Sequence, residues 1–243
     1  EVQRLALEAI NLVKTFGRLR AVDNFSMTIE RGAVKALIGP NGAGKTTFVN
    51  LVTGVLKPDS GRIRLEGRCI LHLNMYERAR LGIARTYQIP RPYPNLTVLE
   101  NALVPAYYAA GLRGEEALDA AVEALKYVGI YDLADKLASE LNAEQQKLLD
   151  FARALAARPK YVLIDEIGAG LSPEELDSLA AKIRGLAKQG MGVLYIGHIM
   201  RMVKNVADWV VVMNEGKEVA EGTYDEIASN EEVIKIYLGE RRA

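Results

Sequence analysis

Apolar and polar side chains alternate along Leu5-Ala6-Leu7-Glu8-Ala9-Ile10 and again along Phe25-Ser26-Met27-Thr28-Ile29, with a glycine-containing turn at Phe16-Gly17 between them. A period of two puts one face of a strand into a core, so residues 2–38 read as strands opening on a mostly antiparallel sheet. Val34 to Ile38 reads as a buried apolar strand that runs straight into a glycine loop. Beyond the loop, Phe48, Val49, Leu51, Val52, Val55 and Leu56 recur at helical spacing. Pro58-Asp59-Ser60-Gly61 predicts a turn, since proline presets φ and glycine permits positive φ. Ile63 and Leu65 resume strand alternation, and a helix is predicted from Tyr76 to Leu81.

Between about Ile89 and Ala157 the pattern changes. A proline-rich stretch (Pro90, Pro92, Pro94) is followed by Ala- and Leu-rich helical periodicity with no strand signal, which reads as an inserted helical subdomain. Its first helix opens on a capping box, Thr97 with Glu100, and Pro105 should limit or kink it. From Tyr161 a strand, a helix and the strand Val193 to Ile196 follow. Ser172, Pro173 and Glu175 mark the start of that helix, and Leu176, Leu179, Ile183 and Leu186 form its stripe. Such a unit implies a parallel sheet with right-handed crossovers. Trp209 to Gly222 predicts a hairpin turning at Asn214-Glu215-Gly216.

Composition narrows the choices. A chain of 243 residues, 49% hydrophobic, can bury a sizeable core. Lys plus Arg (31) balance Asp plus Glu (31), so no polyanion stands out as a partner and nucleic acid is not expected. The single cysteine, Cys69, forms no internal disulfide and is expected as a half-buried strand residue in a reducing compartment. The two histidines, His72 and His198, lack metal-ligand spacing. Runs such as Trp209 to Met213 fall far short of the roughly 20 residues that span a bilayer. The first residues lack a signal-peptide pattern, and the chain is expected to be cytoplasmic.

Gly39-Pro40-Asn41-Gly42-Ala43-Gly44-Lys45-Thr46 matches G-x-x-x-x-G-K-[ST] between a buried strand and a helix. Its glycines let backbone N–H groups converge on phosphate oxygens at a helix N-terminus. Lys45 reaches the β- and γ-phosphates, and Thr46 binds Mg²⁺. Asn41, Gly42, Ala43, Gly44, Lys45, Thr46 and Thr47 are therefore the expected nucleotide-binding set, with ATP and Mg²⁺ as the ligands. About 120 residues on, a Val-Leu-Ile strand ends in Asp165-Glu166 at the carboxyl edge of the same sheet. Asp165 is the expected Mg²⁺ partner, and Glu166 the group that orients or deprotonates an attacking water. Apart from the loop, the pair would serve equally as a solvated strand end. His198, just past the next strand, would sense the γ-phosphate or the water, and Gln88 can reach both Mg²⁺ and water. Either residue alone is more often structural.

These residues in this order resemble the ATPase subunit of ABC transporters, over nearly the whole chain. The resemblance implies Walker A at Gly39 to Thr46, Walker B with its glutamate at Tyr161 to Glu166, the Q-loop at Gln88, the switch histidine at His198, and an adenine-stacking aromatic at Phe16. It implies an α/β fold: a P-loop NTPase (RecA-like) core with an N-terminal antiparallel β subdomain, from residues 1–87 and 158–243, and an inserted α-helical subdomain at 88–157. Gly82-Ile83-Ala84-Arg85-Thr86-Tyr87-Gln88, Leu96 to Asn101 and Ala220-Glu221-Gly222-Thr223 look most like branched-chain amino-acid importers. Lipopolysaccharide-export ATPases are near relatives that Arg78-Ala79-Arg80-Leu81-Gly82 would also suit. The implied partners are a second ABC ATPase subunit and integral-membrane permease subunits docking at 88–95. The implied location is peripheral, at the inner face of the cell membrane.

One motif departs. Where the family's LSGGQ signature reaches across a dimer to the opposite ATP, this chain reads Leu141-Asn142-Ala143-Glu144-Gln145. Glu144 sets a carboxylate where a glycine N–H faces phosphate. Two unit charges about 4 Å apart repel by roughly 4 kcal/mol at an effective dielectric near 20. A heterodimer with a partner carrying an intact signature is therefore expected in preference to a homodimer. Ile167, Gly197 and Pro173 are smaller departures that remove no catalytic group. An ATP-binding regulatory subunit with little hydrolysis is the main alternative, and a soluble ATPase acting on DNA or ribosomes a weaker one.

Overall fold

The computed structural model describes residues 5–168 and 170–240, with side chains through residue 237. Residues 2–4, read above as strand, lie outside it. Strands β1 (Ala6–Phe16), β2 (Leu19–Glu30) and β3 (Val34–Ile38) precede helix α1 (Lys45–Thr53), and β4 (Ser60–Leu65), β5 (Arg68–Cys69), α2 (Met75–Arg80) and β6 (Ile83–Arg85) follow. Three helices come next, α3 (Val98–Tyr108), α4 (Gly114–Val128) and α5 (Ala143–Ala156), with two short 3₁₀ turns before α5. The chain ends with β7 (Tyr161–Asp165), α6 (Pro173–Lys188), β8 (Gly192–Ile196), α7 (Met200–Val206), β9 (Trp209–Asn214), β10 (Lys217–Gly222), α8 (Tyr224–Ala228) and α9 (Glu231–Glu240). Capping boxes at Thr97 and Ser172 open α3 and α6 as expected.

Two sheets result. One is antiparallel, in the order β2-β1-β4-β5; the other runs β10-β9-β3-β8-β7-β6, parallel from β9 to β6 with β10 antiparallel at its edge. Alternate residues of the larger sheet feed two cores. Leu37, Leu163, Leu194 and Ile196 pack with α1 and the antiparallel sheet. Ile38, Ile164, Tyr195 and Val212 pack on the other face with residues of α5, α6 and α7. Helices α3, α4 and α5 pack on one another.

Some expectations are corrected. Helix α1 stops at Thr53, short of Leu56, because Gly54 takes the left-handed conformation (φ 81°) and its N–H bonds back to Leu51. Ser60 and Gly61 belong to β4 and not to the preceding turn. Pro105 lies inside α3, which ends at Tyr108, within one further turn. Cys69 is exposed, because β5 is a two-residue edge strand with both residues facing solvent.

Gly54 also makes room for Arg78, which is 2% exposed. Its guanidinium donates to the Leu51 and Val52 carbonyls at 2.7 Å and to Leu73 O at 3.1 Å, so a buried cation closes the negative end of α1. Arg78→Met should leave those carbonyls unpaired and lower stability by about 2–4 kcal/mol in urea unfolding. An unchanged midpoint and slope would show that the carbonyls find other donors.

Candidate functional site

Strands β3, β8, β7 and β6 lie side by side, and each delivers one chemical segment at its carboxyl end. The glycine loop follows β3, His198 follows β8, Asp165 ends β7 with Glu166 next, and Thr86 to Gln88 follow β6. The parallel crossovers gather segments that are far apart in the chain onto one edge.

The loop is held from both sides by backbone. A Cβ on Gly39 would collide with Met213 O of β9, and one on Gly44 with Ala21 O of β2. Gly44 caps α1 at φ 106°. The β9–β10 turn presses on the loop as well, with Gly216 N–H donating to Ala43 O at 2.8 Å and Gly216 O accepting from Asp23 N–H at 2.8 Å. Ala43 is buried, while Asn41, Gly42 and Thr46 are exposed. Lys45 Nζ donates to Gly39 O (2.6 Å) and Pro40 O (2.9 Å). A cleft of about 760 Å³ is lined by Phe16, Asn41 to Thr47, Gln88, Asp165 and Glu166, a size suited to a nucleotide. Phe16 stands at its wall, 46% exposed. Glu215, Gly216 and Lys217 join the lining, which their place in a hairpin turn did not foretell.

Glu166 is the meeting point of the other segments. His198 Nδ1–H donates to its Oε1 and Gln88 Nε2 to its Oε2, both at 3.1 Å. Its backbone sits at φ 45°, a left-handed conformation unusual for a non-glycine residue, and is fixed there by a bond from its N–H to Ile196 O (2.9 Å). Asp165 is buried, its backbone N–H bonded to Thr86 Oγ1 (2.8 Å), and its Oδ2 has no hydrogen-bond partner. Burial pushes its carboxyl up to about 6, against the pull of Arg85. An orphaned buried carboxylate oxygen, beside the Thr46 hydroxyl and the Gln88 amide on the same cleft, is an all-oxygen donor set that suits a hard cation such as Mg²⁺.

Three residues that sequence reasoning passed over hold this edge together. Arg85 Nη1 donates to Asn50 Oδ1 of α1 (2.6 Å), with its guanidinium 4.4 Å from the Tyr87 ring centroid. Asp150 of α5, itself buried, accepts from Tyr87 N–H at 2.7 Å. Burial raises the Asp150 carboxyl, while that bond, Arg153 and Arg85 lower it. The signal in the sequence was an acid between Leu149 and Phe151 on an otherwise apolar helix face.

The segment Leu141 to Gln145 lies apart from this cleft, at the start of α5. Leu141 is buried, and Asn142 caps the helix: its Oδ1 accepts from Gln145 N–H (2.8 Å), and Gln145 Oε1 accepts from Asn142 N–H (3.1 Å). Ala143 and Glu144 are exposed in the first turn, where the helix dipole favours the Glu144 charge. Glu144 lines a cleft of about 120 Å³ shared with Glu175 and Lys182 of α6.

Comparison with known proteins agrees with this geometry. The ABC transporter family model matches residues 22–169, and the model for the branched-chain amino acid ATP-binding cassette transporter matches 217–243. The chain is 39% identical to the high-affinity branched-chain amino acid transport ATP-binding protein BraF of Pseudomonas aeruginosa, over 98% of this chain and 100% of that protein. It is 36% identical to LivG of Escherichia coli K12, a protein of the same description, over 96% and 98%. Among solved structures, the ADP conformation of an ATP-binding cassette of an ABC transporter superposes with a TM-score of 0.85 at 33% identity, covering 96% of this chain and 98% of that one. Matched across more than half its length by the family model and across nearly all of it by these relatives, the chain belongs to the ABC transporter ATP-binding family.

Proposed function

We propose that this ATPase powers the import of branched-chain or related amino acids, with the residues of the cleft dividing the work. The observation that carries the catalytic part is the Glu166 carboxylate, held by Gln88 and His198 on the cleft that the phosphate loop lines. The choice of cargo is supported by the likeness to BraF and LivG along the whole chain and by the match at 217–243.

In this reading the loop N–H groups of residues 41–47 and Lys45 hold the β- and γ-phosphates, and Phe16 stacks on the base. Thr46, Asp165 and Gln88 would hold Mg²⁺, which neutralises phosphate charge and orients the γ-phosphoryl group. Glu166 accepts a proton from the attacking water as its oxygen bonds to the γ-phosphorus. The bond from the γ-phosphorus to the bridging oxygen breaks, and ADP departs with that oxygen. His198 turns from Glu166 to the γ-phosphate. Residues 88–157, the α3–α5 helical unit, then pass the change to membrane subunits. Support for docking at 88–95 comes from their exposure and anchoring. Asn101 of α3 accepts from Tyr93 N–H at 2.8 Å, and Arg153 of α5 donates to Arg91 O at 3.0 Å. An adjoining cleft of about 210 Å³ is lined by Met75, Tyr76, Ala79, Pro105 and Ala109. No described helix is long and apolar enough to cross a membrane, so attachment would run through permease subunits.

The altered signature favours pairing with a different ATPase subunit. Glu144 already occupies the positive dipole end that the α5 N-terminus would otherwise offer to a partner's γ-phosphate, and it adds a negative charge there. The chain's own loop, Asp165, Glu166 and His198 would complete one site with a partner's intact signature.

Hydrolysis of MgATP against protein concentration tests this. Wild type alone should turn over slowly, Glu144→Gly should restore a concentration-dependent rate at a stability cost of about 1 kcal/mol in α5, and Glu166→Gln should abolish turnover in either background. Steeply concentration-dependent hydrolysis by wild type alone would favour a homodimer instead.

A pH dependence follows from Asp165. Its carboxyl titrates near 6 in the folded chain against about 3.9 unfolded, so folding favours the protonated form. Stability is therefore lost as pH rises from about 4 to about 6 and is level above. Without nucleotide or metal, Asp165→Asn should exceed wild type by on the order of 2 kcal/mol at pH 7, with the gap closing near pH 4. The same variant should bind MgATP more weakly, and a gap independent of pH in urea unfolding would refute the assignment.

A further inference from the structure

Tyr195 is the penultimate residue of β8, paired in register with Ile164, and it has no solvent exposure. Its ring extends along the strand to the sheet's carboxyl edge. A Cβ on Gly197 would stand 2.7 Å from the Tyr195 hydroxyl oxygen and about as close to two ring carbons, at 2.9 and 3.0 Å. Position 197 is glycine because the phenol fills the space of a side chain there, and the main chain leading to His198 lies directly against the ring.

The hydroxyl makes no hydrogen bond. It faces a cleft lined by Glu166, Tyr195, Gly197, His198 and Ile199 that has no room for a water molecule, so solvent does not satisfy it. A buried hydroxyl without a partner is a standing penalty that phenylalanine would avoid at the same volume. Of the other residues lining that cleft, only Glu166 and His198 have polar side chains. Burial, with the Glu166 and Asp165 carboxylates nearby, keeps the phenol protonated and hence a donor. Both Glu166 oxygens are engaged here, Oε1 by His198 and Oε2 by Gln88.

We propose that Tyr195 is a positioning residue for Glu166: its hydroxyl takes over Oε1 when His198 turns from Glu166 to the nucleotide. This rests on the reading that Glu166 and His198 act on ATP. Glu166 would otherwise be left with one oxygen untethered at the moment its orientation matters, on a backbone already held at positive φ. The phenol supplies a second tether from the rigid strand beside it.

Tyr195→Phe deletes one oxygen and tests this directly. MgATP hydrolysis by the full chain should lose about 10- to 100-fold in kcat with KM for ATP unchanged, while the Tm holds or rises. In a Glu166→Gln background, where turnover is already abolished, the same change should leave MgATP affinity unaltered. A purely structural phenol predicts an unchanged kcat; either that, or kcat and Tm falling together, would overturn the proposal. A second measurement needs no turnover. With ¹³Cζ-labelled tyrosine, the resonance assigned to Tyr195 by its loss in Tyr195→Phe should shift to that of a hydrogen-bond donor in His198→Ala, and should not do so in Glu166→Ala/His198→Ala, which lacks the acceptor oxygens. A resonance unmoved in His198→Ala would refute the tether. Wild-type turnover by Glu166→Gln would instead remove the underlying reading of Glu166, so the two failures are distinguishable.

Discussion

Backbone meets backbone at Gly39 and Gly44, where Met213 O of β9 and Ala21 O of β2 occupy the volume a side chain would need. This contact ties the two sheets to the phosphate loop at one place. The loop is pressed between the end of the parallel sheet and the antiparallel one, and the Glu215-Gly216 turn closes over it through the bond to Ala43. Convergent N–H groups are useful to an anion only if they are fixed before it arrives. The fixing comes from strands β2 and β9, which carry no catalytic residue themselves.

From that anchor the site spreads along neighbouring strand ends and is tied sideways by short polar links. Asn50 reaches Arg85, Thr86 reaches the backbone of Asp165, and Asp150 reaches the backbone of Tyr87. The helix that begins at the altered signature is thereby bonded to the loop that carries Gln88, and Gln88 to Glu166. A displacement of α5 has a continuous, hydrogen-bonded route to the carboxylate at the centre of the cleft. Asp165 shows what this arrangement costs. It is a buried carboxyl pushed toward neutrality that a cation would compensate.

Hydrophobic periodicity was enough to locate most elements, because a period of two or of 3.6 residues is a local property. It placed β3 at Val34–Ile38 as found, while the equally local capping boxes placed the caps at Thr97 and Ser172. It failed where a single residue overrode the pattern. Gly54 ended α1 although Val55 and Leu56 continued the apolar stripe, and Cys69 faced solvent because β5 has no neighbour on its outer side.

Residue order alone carries the chemistry on offer: a phosphate loop between a buried strand and a helix, a carboxylate pair at a strand end, a histidine past the next strand, and a carboxylate in the signature. Each is a short contiguous pattern whose residue types have few other uses in combination. How they meet is a matter of the packed fold. Strand order brings residues 88, 165–166 and 198 beside the loop, and it gives Glu166 its two partners. It also buries Asp165, Asp150 and Arg78, and it lays Tyr195 against Gly197. Burial and pairing across long sequence separations depend on which elements become neighbours in space, and that is settled by the packing of the whole chain.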